Sequence, residues 1–162
     1  RISHILITHA HFDHIIGIPS VLKSLSIAPE VAICSVDLLL WREKGDADAF
    51  GISLPPLPEP TIFLSDGAEI YLGSTTITAI HTPGHTPGHL AYYIAGANSV
   101  LVGDLIFYRG IGRTDLPGGD QAQLIDSIKN RIYKLPGSTR ILPGHGPSTT
   151  VADEISFNPF LV

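Results

Sequence analysis

The chain has 162 residues, enough for one domain with a real core, and 44% of them are hydrophobic against 15% charged, which excludes a disordered chain. A formal charge of −5, with Lys and Arg scattered rather than clustered, argues against nucleic acid as a partner. No apolar run reaches the ~18 residues of a membrane span, no signal-peptide pattern is visible, and the single cysteine, Cys34, rules out an internal disulfide and fits a reducing, cytoplasmic setting.

In chain order, residues 5–8 read as a short buried strand that leads directly into Thr8-His9-Ala10-His11-Phe12-Asp13-His14. A helix is expected from 17 to about 26, with Pro19 tolerated only in its first turn. Residues 31–35 form a second apolar strand, in which Cys34 is a packing residue, and 36–43 are expected to be helical. The proline-rich stretch 45–60 is a surface loop, either lining a substrate cleft or merely connecting elements. Short β-rich segments follow at 61–64, 69–72, 75–81, 89–95 and 100–103, separated by Asp66-Gly67 and Gly73-Ser74 turn signals. The clearest helix covers 120–133, where Leu124, Ile125, Ile128 and Ile132 make an apolar stripe at helical spacing. A last strand, 140–142, runs into Pro143-Gly144-His145-Gly146. Strands alternating with helices, with reactive residues at strand ends, indicate an α/β layered fold in a single domain over 1–162.

Four potential metal ligands within the run from His9 to His14 are hard to explain as packing. On an extended backbone His9, His11 and Asp13 would share one face, and His14 would begin the turn into the next helix. The run can therefore offer two imidazoles to one metal, and a carboxylate with a third imidazole to its neighbour. Imidazole and carboxylate suit zinc, iron or manganese, and no thiolate is on offer. In His81-Thr82-Pro83-Gly84-His85-Thr86-Pro87-Gly88-His89 the prolines and glycines forbid a helix, so the segment is a tight loop and its middle imidazole, His85, is the best-placed ligand. His81 and His89 are expected to support or pack, and His4 to lie outside the site. Asp104 closes an apolar strand and is suited to bridge two cations; His145 closes another. The set is seven residues: His9, His11, Asp13, His14, His85, Asp104 and His145.

These motifs, in this order, resemble the metallo-β-lactamase superfamily, and within it the hydroxyacylglutathione hydrolase (glyoxalase II-like) branch. The resemblance covers nearly the whole chain, from about residue 3 to Asn158-Pro159-Phe160. It implies an αββα sandwich, and since family members carry several strands before the ligand run, N-terminal strands of that fold are expected to be missing from this sequence. It assigns His9, His11 and His85 to a first metal, Asp13, His14 and His145 to a second, and Asp104 to a bridge. Asp13 and Asp104 would thus be the catalytic carboxylates, and two divalent ions, zinc first with iron or manganese as alternatives, the cofactors. Gly112-Arg113-Thr114-Asp115 resembles a segment of the same branch, where Arg113 and Asp115 orient a loop over the cleft or pair structurally. Arg109-Gly110 departs from the Gly-Ser more common there, and the helical C-terminal region that helps larger relatives hold glutathione is absent from this sequence.

Two divalent cations facing Asp13, Asp104 and a hydroxide leave a charge of about +1, enough to lower the pKa of bound water from roughly 15.7 toward ~7. A thiol leaving group, with a pKa of about 8.5, departs as thiolate without a strong general acid. The expected function is hydrolysis of a small-molecule thioester such as S-lactoylglutathione. The alternatives are a mononuclear iron persulfide dioxygenase using His11, His85 and Asp104, and a non-catalytic metal-binding module.

Overall fold

A computed structural model describes residues 2–161. They divide at Leu64/Ser65 into two compact units.

The first unit is built on a three-stranded parallel sheet of β1 (His4–Leu6), β2 (Glu30–Cys34) and β3 (Ile62–Leu64), in that spatial order. Ile5 pairs with Val31, and Ala32 with Ile62. Parallel neighbours need crossovers, and helices supply them. Between β1 and β2 lie α1 (Phe12–Ile15) and α2 (Ile18–Ser24); after β2 comes a 3₁₀ turn, Ser35–Asp37, and then α3 (Leu38–Arg42). Val31, Ala32, Ile33 and Cys34 of the central strand are all buried, the near-continuous apolar run of a strand covered on both faces. Burial pushes the Cys34 thiol upward in pKa, which matches a packing role. The core joins Val31 and Ile33 to Ile7, Ala10, Ile15, Ile18 and Trp41. Pro19 sits in the first turn of α2, as expected.

The stretch 45–60 is more ordered than its prolines suggest. It starts as a 3₁₀ segment, Lys44–Phe50, and Ala47 and Leu54 are buried. Trp41 donates its indole N–H to the Pro58 carbonyl at 3.0 Å, and Arg42 forks onto Glu59 at 3.1 and 2.8 Å. Turn residues mark a break in helix and strand, and here they pack all the same.

The second unit carries a six-stranded mixed sheet in the order β11-β10-β7-β6-β5-β4, made of β4 (Glu69–Leu72), β5 (Thr75–His81), β6 (Leu90–Ile94), β7 (Ser99–Gly103), β10 (Arg140–Pro143) and β11 (Thr149–Thr150). A two-stranded hairpin, β8 (Ile106–Phe107) with β9 (Gly110–Ile111), follows β7. All pairings in the large sheet are antiparallel except β7 with β10, which run parallel. Against this sheet packs α4 (Gln121–Asn130), with Leu124 and Ile128 and the following Ile132 all 0% exposed beside Val100, Val102 and Ile141. Asp120 caps α4, its carboxylate accepting the Gln123 amide at 3.0 Å. The periodic stripe thus lies where its spacing predicts.

The final helix, α5 (Val151–Phe157), buries Glu154 completely. That carboxylate accepts from the Thr149 hydroxyl (2.7 Å), the Asn158 amide (2.8 Å) and the Arg109 backbone N–H (3.1 Å). The hairpin tip after Asp104 is thereby fixed. Arg109 takes φ 59° there, with its guanidinium over the rings of Tyr108 and Phe157. Among the described residues no helix is long and apolar enough to cross a membrane.

Candidate metal centre

In the first unit the strand hydrogen bonding persists past β1, with the Ile7 amide bonded to the Ala32 carbonyl at 2.9 Å. Past a bend at Thr8 the chain reaches His11, the residue before α1, which is extended with φ −65° and ψ 150°. There the geometry departs from the expected one. Asp13 does not continue an extended face with His9 and His11; it lies in α1 beside His14. The cause is local: the His14 N–H bonds to the His11 carbonyl at 3.0 Å and Ile16 to Phe12 at 2.8 Å, and the turn carries Ile15 into the core at 0% exposure. His9 and His11 are buried, whereas Asp13 is exposed and His14 half-buried. The His9 and His11 rings meet edge to face at 5.0 Å, and the His9 and His14 centroids are 4.1 Å apart. Asp13 Oδ2 lies 3.7 Å from His14 Nε2. Four ligand-type groups therefore crowd one corner of the unit, in two pairs, one on strand-like backbone and one on helix.

Two residues that the motif does not reveal hold this corner. Asp37, 1% exposed, accepts the Ala10 N–H at 3.2 Å, between the two buried imidazoles. Gly45, at φ +64°, supports the run from the other side: a Cβ there would lie 2.3 Å from Phe12 N and 2.4 Å from the Ala10 oxygen. The only sequence signals were an acid just past an apolar strand and a glycine opening the proline-rich stretch.

In the second unit the parallel pair β7 and β10 ends on one side, so the residues after them emerge together. The Gly144 N–H bonds to the Gly103 carbonyl at 2.8 Å and ties the two strand ends. Asp104 follows one and His145 the other; His145 Nε2 stands 3.5 Å from Asp104 Oδ2. The loop between β5 and β6 brings His85, 3% exposed, to the same carboxylate, its Nε2 being 3.9 Å from Oδ2. His85 Nδ1 lies 2.8 Å from the Arg113 carbonyl. A carbonyl can only accept, so Nδ1 carries the proton and Nε2 keeps the lone pair that a metal takes. Asp104 thus lies between two imidazoles and is mostly buried, with a side-chain exposure of 14%.

The remaining histidines have structural partners. His81 donates from Nε2 to the Pro87 carbonyl at 2.9 Å, and His89, wholly buried, meets the Thr82 hydroxyl through Nδ1 at 2.8 Å, so both brace the loop that carries His85. His4 Nδ1 lies 2.9 Å from the Ser3 hydroxyl. Arg113 and Asp115 form a forked ion pair on the surface.

The donor chemistry fits divalent transition metals. Imidazoles, several of them buried, and carboxylates, with no thiolate, make a nitrogen and oxygen set suited to zinc, iron or manganese.

Residues 1–145 match the family model described as the metallo-beta-lactamase superfamily. The chain is 39% identical over 158 residues to the Bacillus subtilis "Probable metallo-hydrolase YqgX", covering 97% of this chain and 74% of that protein. It is 35% identical over 164 residues to "Hydroxyacylglutathione hydrolase GloC" of Haemophilus influenzae, covering 97% and 74%. Among solved structures, it resembles "BLEG-1 B3 metallo-beta-lactamase" with a TM-score of 0.90 and 37% identity, over 98% of this chain and 77% of that one. It also resembles "TTHA1623 in a di-iron-bound form" with a TM-score of 0.87 and 40% identity, over the same shares of 98% and 77%. The α/β fold is therefore that of these structures.

Proposed function

The chain belongs to the metallo-beta-lactamase superfamily, and from that premise we propose that it is a metal-dependent hydrolase of a glutathione-type thioester such as S-lactoylglutathione. In this reading His9, His11 and His85 would hold one divalent cation, and Asp13, His14 and His145 a second, with Asp104 as a ligand common to both. Zinc is the first choice of metal. A neighbour at 40% identity is named in a di-iron form, which supports two metals and keeps iron open. When bound, two such cations would supply a hydroxide at neutral pH and polarise a scissile carbonyl.

The chain's own residues prepare that chemistry. Asp104 Oδ2, with His85 Nε2 at 3.9 Å and His145 Nε2 at 3.5 Å, is the observation that carries the reading, because a carboxylate beside two imidazoles is a nitrogen and oxygen donor set suited to divalent cations. His85 is held in the ligating tautomer by the Arg113 carbonyl. His9, His11 and His85 are each buried, whereas His145, 57% exposed at its side chain, is open to substrate. A thioester fits because its thiolate, with a pKa of about 8.5, leaves without a general acid. The GloC relative supports that substrate class, and the single cysteine fits a cytoplasmic enzyme.

The test combines metal analysis of the purified chain with three turnover assays: S-lactoylglutathione hydrolysis, β-lactam hydrolysis and oxygen uptake on glutathione persulfide. Two metals per chain with thioester turnover are expected. One iron with persulfide-dependent oxygen uptake would overturn the reading, as would β-lactam turnover without thioester turnover. Asp104→Ala should abolish hydrolysis and lower metal content, and retained turnover would refute the bridge.

A further inference from the structure

The loop between β9 and α4 carries an ion pair that the donor set does not use. Arg113 Nε and Nη2 donate to Asp115 Oδ1 and Oδ2, each at 2.8 Å, while both side chains stand in water at 53% and 68% exposure. An exposed pair of this kind, screened by water, adds little to stability. Its position says more. The carbonyl that accepts the His85 Nδ1–H belongs to Arg113, in the peptide between Arg113 and Thr114. The side-chain fork from residue 113 to residue 115 spans that peptide and ties together the residues on either side of it.

The backbone on either side is already anchored. Gly112 donates to the Leu105 carbonyl at 3.1 Å, and a Cβ there would lie 1.8 Å from the Asp104 oxygen, so only glycine fits. Downstream, the Asp120 N–H bonds to the Gly84 carbonyl at 2.7 Å, next to His85 itself. The segment 113–115 hangs between these anchors with its carbonyl turned inward and its side chains outward. Arg113 holds the Asp115 carboxyl down to about 2, so the fork persists across the neutral range.

Resting on the reading of His85 as a metal ligand, we propose that the Arg113–Asp115 fork is a positioning element: it keeps the Arg113 carbonyl on Nδ1–H of His85 and so fixes the tautomer whose Nε2 binds a metal. Neither side chain touches substrate or metal in this role.

The test uses the full chain as Arg113→Ala, Asp115→Ala and the swapped pair Arg113→Asp/Asp115→Arg. Two readouts serve: imidazole ¹⁵N resonances of His85 after chelation, and zinc affinity by chelator competition. The single variants should fold, because both side chains are exposed, and amide spectra check this. Each should shift His85 toward mixed tautomers and weaken zinc about 10-fold, at the lower end for residues supporting a ligand. The swap should restore both. Wild-type tautomer and affinity in the single variants would overturn the proposal, and so would losses that the swap fails to restore. The tautomer is read without metal or substrate, so a chain that hydrolyses no thioester yet follows this series would sink the proposed reaction alone. Thioester turnover with unmoved tautomers would sink the positioning role alone.

Discussion

At the scale of single residues, the buried carboxylates divide by what they hold. Asp104 faces imidazoles, Glu154 gathers three hydrogen bonds around a hairpin tip, and Asp37 takes a backbone amide in the middle of the ligand run. The last has a measurable consequence. Asp37→Ala leaves the buried Ala10 N–H without that acceptor, a loss of about 1–3 kcal/mol in urea unfolding. Asp37→Asn keeps a carbonyl oxygen for the amide, so its loss should be the smaller of the two. Equal destabilisation by both would show that the charge, and not the amide contact, is what the position requires. The seven ligand-type residues stand out in the sequence because imidazoles and carboxylates clustered in short motifs have few packing uses. Asp37 does not, since one acid after an apolar strand looks like any helix-starting residue until the fold brings Ala10 against it.

Periodicity and punctuation carried most of the legible information at the scale of elements. The α4 stripe of Leu124, Ile128 and Ile132 was readable because helical spacing and core burial coincide there. The one-turn helix α1 was not, because Phe12–Ile15 is too short for any period to register and is held by the His11 carbonyl and the burial of Ile15. That missed turn moved Asp13 from the face of His9 and His11 to the side of His14. The 3₁₀ segment Lys44–Phe50 was hidden for a different reason: Lys44, Gly45 and Asp46 are all held at positive φ, a conformation that composition does not announce. Two of the three are not glycine, and each such residue costs about 1–3 kcal/mol, which the buried Ala47 and the seat beneath the ligand run offset. Gly45→Ala adds a Cβ within 2.3 Å of the Phe12 amide nitrogen. It should destabilise the chain by about 3 kcal/mol or more and weaken metal binding in the same variant. A neutral effect on both in thermal melting and chelator competition would remove Gly45 as the seat of the run.

For the whole molecule, the proposed centre has a thermodynamic signature that follows from where its donors lie in the chain. Four belong to the first compact unit and three to the second. A metal that binds only when both sets are folded adds RT ln(1 + [L]/Kd), about 4 kcal/mol for each site at a thousandfold excess over Kd, and it couples the two units in unfolding. The chain carries its own reporters for each unit. Its single tryptophan, Trp41, is buried in the first. All five tyrosines, Tyr71, Tyr92, Tyr93, Tyr108 and Tyr133, lie in the second. With zinc bound, Trp41 fluorescence and tyrosine difference absorbance should report one coincident melting transition. A chelator should lower both midpoints, because the metal's contribution to folding is then lost. Coincident transitions at an unchanged midpoint after complete metal removal would mean that the donors of the two units share no metal, and the hydrolase reading would fall with them.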